Sequence, residues 1–223
     1  MSTKQKYKDL SVKEFTKAAE VYDSGHAGLY EMCKDDYPPV LRELKKYPFR
    51  ELLDVGCGTG SMIELLLKEF PDKHYTGIDL TPRMIEVAEG KKLANTRFLV
   101  GDSEKLPFAD STFDAVVCAN SFHHYPNPQA FVNEAARVLE VGGKLILRDY
   151  TSNKFMLWLM NHIEMPLARL FGHGDVKIHS CNEVREMCEI AGLKVQKLEK
   201  QKGFRMHLVA EKNGNLGDNA EKI

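Results

Sequence analysis

No stretch of the 223 residues is apolar for long enough to cross a bilayer. The longest candidate, Phe155 to Leu159 with its continuation, is interrupted by His162, Glu164 and Pro166. The first residues, MSTKQKYKDL, lack the apolar centre of a secretory signal. Cysteine is scarce and odd in number, five scattered residues, which gives no disulfide framework and fits a reduced, cytoplasmic setting. Charge of either sign is balanced to a net of -1 with no basic block, which argues against a sequence-independent grip on nucleic acid. Internal repeats are absent, and tryptophan occurs once, at Trp158.

What is present is a globular composition, 43% hydrophobic, enough for one sizeable α/β domain with a helical piece attached. The chain is organised around Glu51 to Gly60, ELLDVGCGTG. Leu52, Leu53 and Val55 form an apolar run suited to a strand buried on both faces of a parallel sheet. Gly56, Gly58 and Gly60 follow, where a chain can turn sharply and a ligand can lie against the backbone. Ile63, Leu66, Leu67 and Phe70 then share a helical face. Strand, glycine turn and helix start make a nucleotide-type cradle. Its spacing is G-x-G-x-G, and Ser61 stands where a dinucleotide fingerprint has its third glycine, which counts against a NAD-dependent oxidoreductase.

Two acids follow at expected strand tips. Asp79 ends HYTGID, where a carboxylate can take both ribose hydroxyls of a nucleoside. Asp102 ends TRFLVGD, where it can accept from an adenine amino group while the Ser103 amide donates to the ring. The ordered set LDVGCGTG, GIDL and GDSEKLPF resembles the class I S-adenosylmethionine-dependent methyltransferases. It is most similar to their type 11 small-molecule branch, which includes quinone and glycoside methyltransferases. The match is close over roughly Glu51 to Tyr150 and loose elsewhere. It implies S-adenosylmethionine as cofactor and a Rossmann-like, seven-stranded, mostly parallel sheet of order 3-2-1-4-5-7-6, with its last strand antiparallel and helices on both faces. It also implies that the glycine turn carries the methionyl part, with Asp54 neutralising its ammonium group. Leu80, Met84, Asn120 and Ser121 then stand beside the cofactor, and Cys57 is a small filler rather than a nucleophile.

Along the chain, Ser11 and Glu14 read as a capping box for a helix to Asp23. Tyr22 either closes on the adenosine or packs this helix onto the body. Gly25 and Gly28 around His26 read as a hinge, and Pro38 to Tyr47 as a short helix. Strands and helices then alternate to a fifth strand, Lys144 to Tyr150, after a helix stopped by Gly142 and Gly143. Ser180 and Glu183 cap a further helix, and Leu193 to Leu198 and Phe204 to Ala210 read as closing antiparallel strands. The expected division is a helical cover over 1–48, the methyltransferase domain over 49–212 with an apolar lid insert over 151–179, and a flexible tail over 213–223.

Asn120-Ser121-Phe122-His123-His124-Tyr125-Pro126 follows the fourth strand. Relatives that methylate adenine or glutamine carry two prolines and an aromatic here, a pattern this chain lacks. The His123–His124 pair with Asp149 resembles glycoside O-methyltransferases, in which a histidine at this place is a base. The competing reading is a helix cap or a polar filler. His162, His173, His179, Cys181 and Cys188 lack metal-ligand spacing, so no metal is expected from them. The expected activity is methyl transfer to a small, partly apolar acceptor, with a histidine base if the acceptor is a hydroxyl. The alternatives are carbon methylation of a quinone-like ring and a non-catalytic cofactor-binding module. A monomer or a homodimer is expected.

Overall fold

A computed structural model describes residues 2–22 and 34–214. The expected hinge at Gly25, His26 and Gly28, Cys33, and all but the first two residues of the expected tail lie outside them. Seven strands form one sheet: β1 (Glu51–Val55), β2 (His74–Asp79), β3 (Thr96–Val100), β4 (Phe113–Ala119), β5 (Leu139–Tyr150), β6 (Leu193–Gln201) and β7 (Arg205–Lys212). Their order is β3-β2-β1-β4-β5-β7-β6, as the resemblance implied. The first five pair in parallel, and β7 runs antiparallel between β5 and β6.

The helices are α1 (Thr3–Ala18), α2 (Tyr37–Leu44), α3 (Ser61–Glu69), α4 (Pro82–Gly90), α5 (Pro128–Val138), α6 (Lys154–Leu159), α7 (Met165–Leu170) and α8 (Cys181–Ile190). A π-helical turn, Met160–Glu164, joins α6 to α7. No helix among the described residues is long and apolar enough to cross a membrane.

Side chains alternate across the central strands and so build two cores. Leu53, Val116, Leu145 and Leu147 face one side, with Phe131 of α5 and Val184 of α8. Leu52, Val117 and Ile146 face the other, with Val40 of α2 and Ile63 of α3. A fully buried leucine contributes about 1.5–3 kcal/mol, so the two-sided apolar runs fix these strands in the middle of the sheet.

Three local expectations change. First, α1 begins at Thr3, capped by the Ser2 hydroxyl, and ends at Ala18. Ser11 is a buried interior residue packed against Gly174, and Glu14 accepts from the Gly174 amide and contacts His173, both at 2.6 Å. A tertiary contact uses the pair that local spacing assigns to a cap. Second, β5 starts at Leu139, which pairs with Phe113, and the ladder shifts register before Lys144. Gly142 and Gly143 lie within that strand rather than stopping α5. A Cβ on Gly143 would stand 2.9 Å from the Glu140 carbonyl oxygen. Third, the apolar segment after β5 buries Leu157, Met165 and Ile178 in a small core of its own, while Phe155, Trp158, Leu170 and Phe171 are more than half exposed.

Two buried acids tie α2 to the antiparallel end of the sheet. Asp36 accepts from Arg148 Nε at 2.5 Å and Arg205 Nε at 2.8 Å. Glu43 accepts from Lys197 at 2.6 Å and Lys46 at 2.9 Å, with His207 at 3.3 Å. Burial alone would raise the Glu43 pKa, but the two lysines outweigh it and hold the carboxyl at about 2. A carboxyl depressed in the fold stabilises above its unfolded value and loses that contribution as pH falls through the folded one. Glu43→Gln should therefore cost about 1–3 kcal/mol at pH 7. That is roughly 2–12 °C in thermal midpoint. Thermal scans should show the gap between the two proteins closing as pH is lowered from about 4.5 toward 2.

Candidate active site

Because β1 to β4 are parallel, the tips of all four lie on one edge of the sheet, and the turns that leave them must diverge. A cleft opens there, open to solvent at its mouth. The β1 turn forms its floor. Gly56, Gly58 and Gly60 all have positive φ, 74°, 52° and 77°. The Gly56 and Cys57 amides donate to the Ile78 carbonyl at 2.8 and 3.1 Å, which holds the turn against β2. A Cβ on Gly56 would stand 1.9 Å from Ser121 Oγ, so glycine is required by packing as well as by backbone. Gly60 meets the Phe98 ring in the same way, at 2.7 Å, and starts α3.

Asp79 organises the rim. One carboxylate oxygen accepts from the Gly58 amide at 3.0 Å, the other from the Thr81 amide at 2.8 Å. Burial raises its pKa, against those amide bonds. Asp54, one strand away, is 2% exposed and its Oδ2 has no hydrogen-bond partner. Burial, with the Asp79 charge, pushes the Asp54 carboxyl up to about 7. Asn120 has φ 54° and leaves both amide atoms buried and unpartnered. Cys57 is buried, and burial with the nearby acids pushes its thiol up, so it is no thiolate.

Of the expected cofactor residues, Tyr22, Asp54, Gly56, Cys57, Gly58, Asp79, Leu80, Met84, Asp102, Ser103, Asn120 and Ser121 line the cleft. Gly60, packed against the Phe98 ring, does not line it. Asp102 has a partner that local spacing did not reveal: Lys8 of α1 donates to it at 2.5 Å and to Glu104 at 2.8 Å. Phe15 and Tyr37 also line the cleft. None of residues 151–179, the expected lid insert, lines it.

The histidine pair sits in a 3-10 turn, Phe122–His124, directly after β4. Asp149, near the tip of neighbouring β5, clamps His123 twice. It faces ring Nδ1 at 2.7 Å and accepts from the main-chain amide at 3.2 Å. Burial lowers the His123 pKa, but the Asp149 charge and hydrogen bond outweigh it, and the net shift is upward. His124, not His123, lines the cleft, and its ring takes the edge of Phe15 at 5.0 Å between centroids. Burial and the His123 charge lower its pKa to about 4. It does not cap α5; the Asn127 amide is bonded to Glu104 instead. Asp175, which no motif marked, stands 3.4 Å from His123 Nε2 and 3.5 Å from His124 Nδ1.

A cleft with two buried acids on its floor at one end, and at the other His124 on the wall with the carboxylate-backed His123 behind it, can hold a cationic ligand. Residues 53–147 match the family model described as a methyltransferase domain. The chain is 32% identical over 145 residues to the demethylmenaquinone methyltransferase of Thermotoga maritima, covering 65% of this chain and 63% of that protein. It is 39% identical over 101 residues to the fatty-acid O-methyltransferase of Mycolicibacterium smegmatis, covering 45% and 37%. The matches thus span less than two thirds of the length of these curated relatives. In fold it is similar to a SAM-dependent methyltransferase from Aquifex aeolicus, with TM-score 0.65, 21% identity, and coverage of 91% of this chain and 98% of that one.

The floor yields a stability test. Nothing lies within 4 Å of a Cβ built on Gly58, so Gly58→Ala should cost only left-handed backbone strain, about 1–2 kcal/mol in urea unfolding. Gly56→Ala should cost more, because Ser121 is also displaced. Adding Ser121→Gly to Gly56→Ala should recover part of the difference.

Proposed function

The chain belongs to the class I S-adenosylmethionine-dependent methyltransferases, and from that premise we propose that it transfers a methyl group to a small, partly apolar molecule. One observation carries the reading. Asp54 and Asp79 stand together at the strand tips, and Asp54 is buried with a free oxygen. Such a floor fits a cofactor bearing an ammonium and a sulfonium. Bound S-adenosylmethionine supplies an activated methyl group on sulfur. Asp54 and Asn120 would hold its methionyl end, over the turn kept open by Gly56. Asp79 would accept from the ribose hydroxyls with the lone pairs its amide bonds leave free. Asp102 and Ser103 would meet the adenine, with Lys8 sharing the Asp102 carboxylate. The protein's main contribution is alignment.

At the finer level, the acceptor is a hydroxyl and His123 takes its proton. With Asp149 accepting from Nδ1–H, the His123 lone pair is on Nε2, the tautomer a base needs. His124, on the cleft wall, orients the acceptor. Carbon methylation of a quinone-like ring is the second reading. The name of the Thermotoga relative favours such a ring, as that of the Mycolicibacterium relative favours oxygen.

Calorimetry tests the cofactor. S-adenosylmethionine and its demethylated product should bind, NADH should not, and Asp79→Ala should weaken binding about 10-fold or more per hydrogen bond lost. Unchanged affinity in that variant would overturn the assignment. A methyl-transfer screen over phenols, sugars, quinones and fatty acids tests the acceptor. On a hydroxyl acceptor His123→Ala should lower turnover about 100- to 10,000-fold with cofactor affinity unchanged. On a carbon acceptor the same change should matter little.

A further inference from the structure

The sequence raised metal binding only at His162, His173, His179, Cys181 and Cys188, and the fold does not gather those. His162 stacks on Trp158, His173 contacts Glu14, and His179 is buried against Phe122. Among the described residues one set of three ligating side chains does converge. His123, His124 and Asp175 each offer one ligand atom, and the three atoms lie within 4.8 Å of one another. We propose that His123 Nε2, His124 Nδ1 and Asp175 form a site for a single divalent transition-metal ion, zinc foremost.

The distances are the first argument. Asp175 Oδ1 is 3.4 Å from His123 Nε2 and 3.5 Å from His124 Nδ1. A charge-assisted hydrogen bond between such groups closes to about 2.7–2.9 Å. The Asp149 bond to the same imidazole has closed that far, at 2.7 Å. Metal bonds of 2.0–2.2 Å in a tetrahedral site would instead set ligand atoms roughly 3.3–3.6 Å apart. Both measured edges fall in that interval. His124 Nδ1 is buried and has no hydrogen-bond partner, and the nearest acid to it is Asp175 at 3.5 Å.

The supporting groups are the second argument. A metal-bound imidazole characteristically donates its other N–H to a carboxylate, which fixes tautomer and ring orientation. Asp149 stands in that relation to His123, and also holds its main-chain amide. The loop bearing Asp175 is fastened on both sides. The Val176 and Lys177 amides donate to the His123 carbonyl at 3.0 and 3.1 Å, and the Gly174 amide donates to Glu14 at 2.6 Å. Asp175 is thus held facing the pair by main-chain bonds on either side of it. Folding has already ordered the three ligands before any ion arrives, which lowers the entropic cost of binding.

The donor set is the third argument. Two imidazoles and one carboxylate suit zinc and its first-row neighbours, whereas calcium and magnesium prefer oxygen ligands. Three protein ligands leave a position for water or for an acceptor oxygen, as in catalytic rather than structural zinc sites. The assignment stands apart from the base role of His123. The two exclude each other in any one molecule, because the single Nε2 lone pair cannot both take a proton and hold an ion.

The test uses the full chain, stripped with a chelator and titrated with Co2+ and Zn2+ by calorimetry and visible absorption. One Co2+ per chain should bind with the intense absorption of low-coordinate cobalt, and Zn2+ should displace it. His124→Ala and Asp175→Asn should abolish that signal. Asp149→Asn should weaken binding about 10- to 100-fold, as loss of an outer-shell partner does. His162→Ala should leave it unchanged. Circular dichroism and thermal unfolding check each variant. If His124→Ala fails to fold, the zinc K-edge spectrum of the wild-type protein decides instead, with two imidazoles and a carboxylate expected. No saturable binding by the wild-type chain would overturn the site and leave a proton between His123 and Asp175. Binding that survives both ligand variants, or a sulfur-ligated zinc, would also overturn it. Neither result bears on cofactor binding, which the Asp79→Ala calorimetry tests separately; loss of the metal site leaves the His123 lone pair to the base role.

Discussion

A single carboxylate, Asp79, holds the turns that follow two adjacent strands. Its oxygens take the Gly58 amide from the β1 turn and the Thr81 amide at the start of α4. Together with the Gly56 and Cys57 amide bonds to the Ile78 carbonyl, those bonds fix the course of the glycine turn between the strand and α3. The consequence is electrostatic as well as geometric. Asp79 brings its charge to within range of Asp54, which is already buried and has an oxygen without a partner. Two acids sharing a dry floor cannot both ionise freely, and the Asp54 carboxyl rises to about 7. The same residue that shapes the turn therefore also raises the Asp54 carboxyl.

At the other end of the cleft Asp149 does comparable work. It fixes the ring and main chain of His123, and through the 3-10 turn it sets where His124 meets the cleft wall. The clamp spans β4 and β5, whose parallel pairing brings the Asn120 amide to the Arg148 carbonyl. Small changes in the register of β5 would thus move the histidine pair. The irregularity near Gly143, which has no room for a Cβ, is one determinant of that register.

Much of this was legible in the chain. Apolar runs marked β1, β4 and β5, and the glycines and acids at strand tips marked the cleft floor. Ser180 with Glu183 forms a true capping box. What was hidden has a common physical origin. Lys8 meets Asp102 across 94 positions, and Asp175 reaches the histidines only because its loop is pinned to His123. No local period or spacing encodes such pairs. Ser11 and Glu14 satisfy a capping pattern yet serve a tertiary contact with Gly174, because Ser2 already caps α1. The segment after β5 is rich in large apolar residues, but composition does not say which way they face, and Trp158 faces outward.

The attachment of α1 is unusual in kind. Among its residues only Ser11 is buried. It is held to the body by Lys8 on Asp102 and Glu104, by Glu14 on Gly174, and by Tyr7, which accepts from Arg169. Glu20, just beyond the helix, adds an exposed pair with Arg83. A cleft wall fastened largely by polar contacts, beside the one ring contact of Phe15 with His124, responds to the ionic strength of its surroundings most at its exposed pair, Glu20 with Arg83, because mobile ions screen charged pairs near the surface more than buried ones and leave apolar packing largely untouched. Added salt will therefore loosen this wall of the cleft before it disturbs the sheet. The rate at which a ligand enters or leaves becomes a property of the medium, on a scaffold whose own stability scarcely registers the change.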